Sequence, residues 1–163
     1  MRTNCIDYGL AFNSLTKRAT TDIIVIHHTG NPYDDDLSVE QIHESHLGLG
    51  WAGIGYHFVV RKDGSVELGR PHEYIGSHAY GENSHSIGIH LSGNFEIVEP
   101  TAMQIESLSR LVADLAELYN IPVCGTTILG HRDLIATACP GKNLYEIIID
   151  TIVGKAIWYQ QNT

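Results

Sequence analysis

Ile23-Ile24-Val25-Ile26 is a β-branched apolar run that opens after Asp22 and is closed by Thr29-Gly30-Asn31-Pro32. A strand of this kind has no polar face to turn towards water, so it belongs inside a sheet covered on both sides. It ends on His27-His28, which puts two imidazoles at its carboxyl end. Helix and strand signals interleave around it. Ser38 and Gln41 form a capping box, and Val39, Ile42, His46 and Leu47 fall at helical spacing, which predicts a helix over about 38–49. Tyr56 to Val60 and Val66 to Leu68 flank Asp63-Gly64 and read as a hairpin, because glycine reaches positive φ without strain. Ser86 to Leu91 reads as a strand ended by Ser92-Gly93-Asn94. Thr101 and Gln104 cap a helix whose stripe is Ile105, Leu108, Val112, Leu115 and Tyr119, and Pro122 stops it. Thr126 to Leu129 predicts a short strand delivering Gly130-His131. Asn143 and Glu146 open a last helix with Leu144, Ile147, Ile148 and Ile152 facing inward. The fold class is therefore α/β, a single domain with a central mixed β-sheet flanked by helices.

Composition narrows the function. With 163 residues, 43% of them hydrophobic, the chain supports one core rather than two. No internal repeat or linker divides it. The net charge of -9 opposes a nucleic-acid partner or an anionic membrane surface. The apolar runs are far short of a bilayer span, so membrane insertion is not expected. Met1 to Asp7 lack a hydrophobic signal core, and three irregularly spaced cysteines, Cys5, Cys124 and Cys139, argue for a reducing compartment. A cytoplasmic location until release is expected on these grounds; a monomer is expected, though no residue pattern bears on it.

The chemistry lies in His27 together with the stretch from His131 to Cys139. Two imidazoles and a thiolate suit zinc with an open fourth position for water, which makes hydrolysis the leading reading. The seven residues between His131 and Cys139 are too many for a zinc knuckle. Neither Cys-x-x-Cys nor His-Glu-x-x-His is present, and the zinc deaminase pattern is missing. Each ligand candidate alone has a plain structural reading as a satisfied histidine or a small buried hydrophobe. A cysteine peptidase built on His131 and Cys139 would have its nucleophile downstream of its histidine and directly before Pro140, the reverse of the usual layout.

Several segments occur in the order of one family: Ile24-Val25-Ile26-His27-His28-Thr29, Gly55-Tyr56-His57-Phe58-Val59-Val60, Gly69-Arg70, Gly76-Ser77-His78-Ala79 with Asn83, Ser86-Ile87-Gly88-Ile89, Gly93-Asn94-Phe95, and Gly130-His131-Arg132-Asp133 to Cys139-Pro140-Gly141. From about Asp22 to Tyr145 the chain resembles the zinc-dependent N-acetylmuramoyl-L-alanine amidases shared by phage lysozyme-like amidases, bacterial autolysins and animal peptidoglycan recognition proteins. That resemblance implies a catalytic domain over 22–163 behind an N-terminal segment 1–21, with the zinc site at the strand ends in a groove. It implies Zn2+ as cofactor, His27, His131 and Cys139 as its ligands, and His28 as a non-ligand. Tyr56 falls where the family has a catalytic tyrosine that helps hold the oxyanion. Thr137 stands where other members have lysine or threonine, and a hydroxyl brings no positive charge. His90 is either a base, since an unperturbed imidazole titrates near neutrality, or a histidine lining the sheet. His78 and Asn83 match the stem-peptide groove, and Trp51 either walls that cleft or packs the core. His43, His46, His72 and His85 match nothing functional and read as surface or helix-face histidines.

The implied substrate is the amide between N-acetylmuramic acid and L-alanine in peptidoglycan. A phage or prophage endolysin, held in the cytoplasm until release onto the wall, is the leading role. A cytoplasmic muropeptide-recycling amidase and a non-cleaving peptidoglycan recognition module are the alternatives. Non-cleaving relatives typically lack a ligand, often the cysteine, whereas Cys139 is present. The acidic balance departs from the basic character common among lysins.

Overall fold

The apolar run of the sequence, β2 (Ile23–His28), is buried along its whole length in a six-stranded sheet. The computed structural model describes residues 1–163. The remaining strands are β1 (Cys5–Ile6), β3 (Phe58–Val60), β4 (Val66–Leu68), β5 (Ser86–Leu91) and β6 (Ile128–Gly130). Only β3 and β4 pair antiparallel; β2 runs parallel to both β5 and β6, β3 parallel to β5, and β1 parallel to β4. The order is β1-β4-β3-β5-β2-β6, with β2 second from one edge, and the sheet is mixed, as expected.

Alternation along the strands separates two layers. Ile24 and Ile26 of β2, Ile87, Ile89 and Leu91 of β5, and Phe58 and Val60 of β3 face the long helix α2 (Ala102–Tyr119) and bury Leu108, Leu111, Val112 and Leu115. The smaller opposite layer packs Val39 and Ile42 of α1 (Val39–Gly48) against Ile54 and Val59. Both helices carry the capping boxes read from the sequence, Ser38 with Gln41 and Thr101 with Gln104. The Gln104 side chain also donates to the carbonyls of Val60 (3.2 Å) and Ser92 (3.0 Å), which ties α2 to the β3 and β5 ends. Glu67, buried on β4, accepts from the Val39 amide at the start of α1 (2.8 Å) and from Arg61 (3.1 Å), so its charge is paired and the helix terminus satisfied.

Three elements differ from expectation. The hairpin's first strand begins at Phe58, because the Tyr56 and His57 carbonyls accept from Arg70 and Gly69 (both 2.9 Å) in an irregular extension of the pair. Strand β6 starts at Ile128, the Thr126 and Thr127 side chains having folded back on the Cys124 turn. The last helix is not continuous: α3 (Lys142–Tyr145) is followed by a π-helical turn (Ile148–Val153) and α4 (Gly154–Gln161). Asn143 does not cap it, since its amide donates to the Val98 carbonyl (3.0 Å). The wider turn shifts the register so that Leu144, Ile148, Ile152, Val153 and Ala156 all reach the core.

Residues 1–21 are packed on the domain. Strand β1 extends the sheet, the Thr3 amide donates to Asp114 (2.7 Å), and the buried Arg18 donates to Thr21 (2.6 Å) and to the carbonyls of His72 (2.5 Å) and Tyr74 (2.9 Å). No helix is long and apolar enough to cross a membrane.

Leu108 is fully buried at the centre of the α2 face. Leu108→Ala is expected to lower stability by about 2–5 kcal/mol in urea-induced unfolding, through lost transfer energy and a residual cavity.

Candidate metal centre and active site

Strands β2 and β6 pair with Ile26 opposite Gly130, so the next residue of each, His27 and His131, emerges beside the other with ring centroids 4.5 Å apart. Cys139 returns to them on a loop whose ends are joined by the Arg132 amide donating to the Cys139 carbonyl (2.9 Å). Asp133 stiffens that loop by accepting from the Gly130 amide (3.0 Å) and from the Tyr145 hydroxyl (2.5 Å). The Cys139 Sγ accepts from the His28 amide (3.3 Å) and lies 3.7 Å from His27 Nδ1. One donor atom from each of His27, His131 and Cys139 falls within 4.8 Å of the others. His28 points the other way, stacked on Phe95 and accepting from its amide (3.2 Å).

The electrostatics of this cluster fit a cation. Burial, and then His78 and the other neighbouring imidazoles, hold His27 well below the ordinary histidine range, and burial also lowers His131. Neutral imidazoles are the form that offers a lone pair to a metal. Burial pushes the Cys139 thiol up to about 12. A dry pocket that resists the thiolate, yet aims sulfur and two imidazole nitrogens at one point, is completed by a positive ion. The donor set and its convergence suit a divalent metal of zinc type.

A cleft of about 320 Å³ opens beside the cluster, lined by His46, Trp51, Tyr56, Ser77, Asn83 and Ile135 among others. No carboxylate, lysine or arginine lines it. Tyr56 stands between the cluster and α1, its ring 5.0 Å from His27, 4.7 Å from His90 and 5.7 Å from His46; burial raises its pKa, so it stays protonated. Thr137 is exposed on the ligand loop, where its hydroxyl oxygen accepts from the Cys139 amide (3.3 Å) and its own proton remains free to donate. Trp51 borders the cleft on top of His46 (4.5 Å) and is 39% exposed. Asn83 borders it too, with its carbonyl oxygen accepting from the His78 and Ala79 amides (both 2.9 Å). His78 reaches the cleft edge, but both of its ring nitrogens are engaged inside the fold, with His27 (2.9 Å) and with Ser86 (3.1 Å).

His90 is opposite His27 in the β2–β5 register and lies outside the cleft lining. Its Nε2 meets Thr29 Oγ1 (3.0 Å), Thr29 donates to Asp35 (2.9 Å), and the buried Nδ1 has no partner. Burial, and then the neighbouring His28 and His46, lower its pKa to about 3.

Sequence reasoning passed over two histidines that shape the site. From α1, the ring Nδ1 atoms of His43 and His46 accept from the Ile54 and Gly55 amides (3.0 and 2.9 Å), which fixes the chain as it enters Tyr56. Their spacing of three on one helix face was the available signal. His85 clasps Asp22 (2.5 Å) and Glu82. Away from the centre, a larger cavity of about 620 Å³ lies between α2 and α4 and contains no imidazole or thiol.

A covered mixed sheet with a His/His/Cys centre at its strand ends defines a metal-site hydrolase class of α/β domain. Residues 17–142 match the family of N-acetylmuramoyl-L-alanine amidases. The chain is 34% identical to an endolysin of Klebsiella phage KP32 over 79% of its own length and 86% of that protein. It is 38% identical to peptidoglycan-recognition protein SC2 of Drosophila melanogaster over 76% of this chain and 70% of that one. Among solved structures it is similar to the amidase LysC from Clostridium intestinale, with a TM-score of 0.80 at 37% identity, covering 89% of this chain and 95% of that one. The chain belongs to the N-acetylmuramoyl-L-alanine amidase family and is a peptidoglycan amidase homologous to phage endolysins.

The Asp22 and Glu82 carboxylates raise the pKa of His85 above its ordinary value. The clasp is thus fully stabilising below the unfolded value of about 6.5 and is lost as pH rises through the raised folded value. Melting curves of the wild type and His85→Ala should therefore differ most near pH ~5.5 and converge in alkaline buffer. The gap is expected to be small, because exposed pairs are worth about 0.2–1 kcal/mol.

Proposed function

We propose that the chain cuts the amide between N-acetylmuramic acid and L-alanine with a zinc ion held by His27, His131 and Cys139, and that it serves as a phage or prophage endolysin. The observation that carries this reading is the convergence of the three donors within 4.8 Å beside a cleft that Tyr56 borders. The similarity to phage endolysins supports the biological role. The domain so defined runs from residue 22 to 163, with residues 1–21 packed against it.

When bound, zinc supplies a Lewis acid for the amide carbonyl and acidifies water near neutral pH. Tyr56, kept protonated by burial, donates to the carbonyl oxygen as negative charge develops there. Thr137 adds a second donor from the ligand loop, weaker because it is neutral and exposed. His90, neutral and hydrogen-bonded through Thr29 to Asp35, packs under Tyr56 and holds the ring facing the centre. Trp51 gives the cleft an apolar wall and Asn83 fixes the opposite rim, an arrangement suited to an extended peptide.

Metal analysis of the purified protein should return about one zinc per chain. Chelation or Cys139→Ser should abolish release of stem peptides, and unchanged release would overturn the metal-dependent mechanism. Tyr56→Phe is expected to lower kcat by roughly 10²–10³, the usual loss of one oxyanion donor, and Thr137→Ala by less. Intact sacculi and soluble muropeptides, compared at equal disaccharide concentration, should show the sacculi cut efficiently. Activity confined to soluble fragments would replace the endolysin role with a recycling one.

A further inference from the structure

We infer that His78 is a positioning residue that locks His27 in the tautomer presenting its Nδ1 lone pair to the metal, and so sets the affinity of the centre. This rests on the zinc reading above. The His27 ring has one edge towards the cluster, with Nδ1 3.7 Å from Cys139 Sγ, and the other towards His78, with Nε2 2.9 Å from His78 Nδ1. The two rings meet edge to face at 89°. A ligating imidazole needs its far nitrogen protonated and held by an acceptor, and that role is usually filled by a carboxylate or a carbonyl. Here no carboxylate approaches His27 Nε2; the acceptor is a second imidazole.

The direction of the hydrogen bonds follows from the edge that His27 turns to the cluster. The Nε2 of His78 meets Ser86 Oγ at 3.1 Å. With Nδ1 as the edge that meets the metal, His27 carries its proton on Nε2 and donates it to His78 Nδ1, so the neutral His78 ring has its own proton on Nε2 and donates it to Ser86 Oγ. The relay Ser86–His78–His27 thus determines which edge of the ligand is basic.

The sequence makes room for this arrangement. A Cβ on Gly88 would lie 2.5 Å from His78 Cγ, and one on Gly76 would lie 2.9 Å from His78 Cδ2, so the ring rests in a slot that only glycine leaves open. Asn83 fixes the His78 main chain by accepting from its amide (2.9 Å). His78 itself is buried, so these contacts are not exchanged for water.

The test is zinc competition against a chromophoric chelator, joined to nitrogen-15 imidazole spectra of the metal-free protein. Wild type should show His27 as the Nε2–H tautomer. His78→Leu, which fills the slot without an acceptor, should lose that tautomer and bind zinc roughly 10- to 100-fold more weakly. His78→Asn, whose side-chain oxygen can occupy the Nδ1 position, should recover most of the affinity. Ser86→Ala, which leaves His78 in place, should weaken binding in the same direction by less. Equal affinity for wild type and His78→Leu, or equal loss in the Leu and Asn variants, would overturn the role of His78 and leave the zinc mechanism standing. A wild type that takes up no zinc would overturn the mechanism itself.

Discussion

The parallel pairing of β2 with β6 is the constraint on which the rest of the site depends. It sets Ile26 opposite Gly130, so that His27 and His131, separated by 104 positions in the chain, leave neighbouring strands side by side. Parallel strands carry their loops at the same end, and open α/β sheets bind ligands where the carboxyl ends of the strands converge. Once those two imidazoles are placed, one loop suffices to complete the triad, and Cys139 is returned by main-chain hydrogen bonds to Arg132 and His28. A one-residue slip of β2 against β6 would exchange His27 for His28 and turn the imidazole into the α2 core.

The period of two along a strand also explains why adjacent histidines have unlike fates. His27 faces the thin layer covered by α1, where space remains for a cleft. His28 faces the thick layer and packs on Phe95. The α1 layer is polar where it meets the site: His43, His46, His57 and His78 all use ring nitrogens to hold backbone or side-chain partners. Burial keeps His46, His57 and His78 neutral, so the imidazoles crowd together without mutual charge repulsion. The face opposite α2 thus joins a small aliphatic cluster to hydrogen-bonded rings, and the rings fix side-chain directions where a catalytic site needs them.

Much of this was legible from residues close together in the sequence. Strands β2 and β5 and the capped starts of α1 and α2 each announce themselves within a short window, because a cap or an alternation is a local property. That the three donors meet was legible only through family resemblance, since nothing in the spacing of His27, His131 and Cys139 says that β2 and β6 are neighbours. What escaped was non-local or idiosyncratic. Strand β1 is two residues long and exists only because β4 offers a free edge. The π-helical turn interrupts a stripe whose apolar spacing reads as one helix. His46 and His78 were assigned from their surroundings in sequence, whereas their contacts, with Gly55, His27 and Ser86, are set by packing across layers.

The centre also differs in kind from sites that make a fold possible. Small zinc domains acquire their structure from the ion because their cores are too small to stand alone. Here 22 buried hydrophobic residues form one cluster under α2 and the C-terminal helices, separate from the donor triad, and β2 is held on both sides by strands. The donors thus stand on a sheet and a loop whose stability comes from that core, and on the proposed reading a bound metal would add stability by mass action, as any ligand of the folded state does. A site arranged in advance loses little conformational freedom on binding. Three donors, where a structural zinc site has four, would leave one position open on an ion held as proposed, which is the property a hydrolytic centre requires and a structural one avoids.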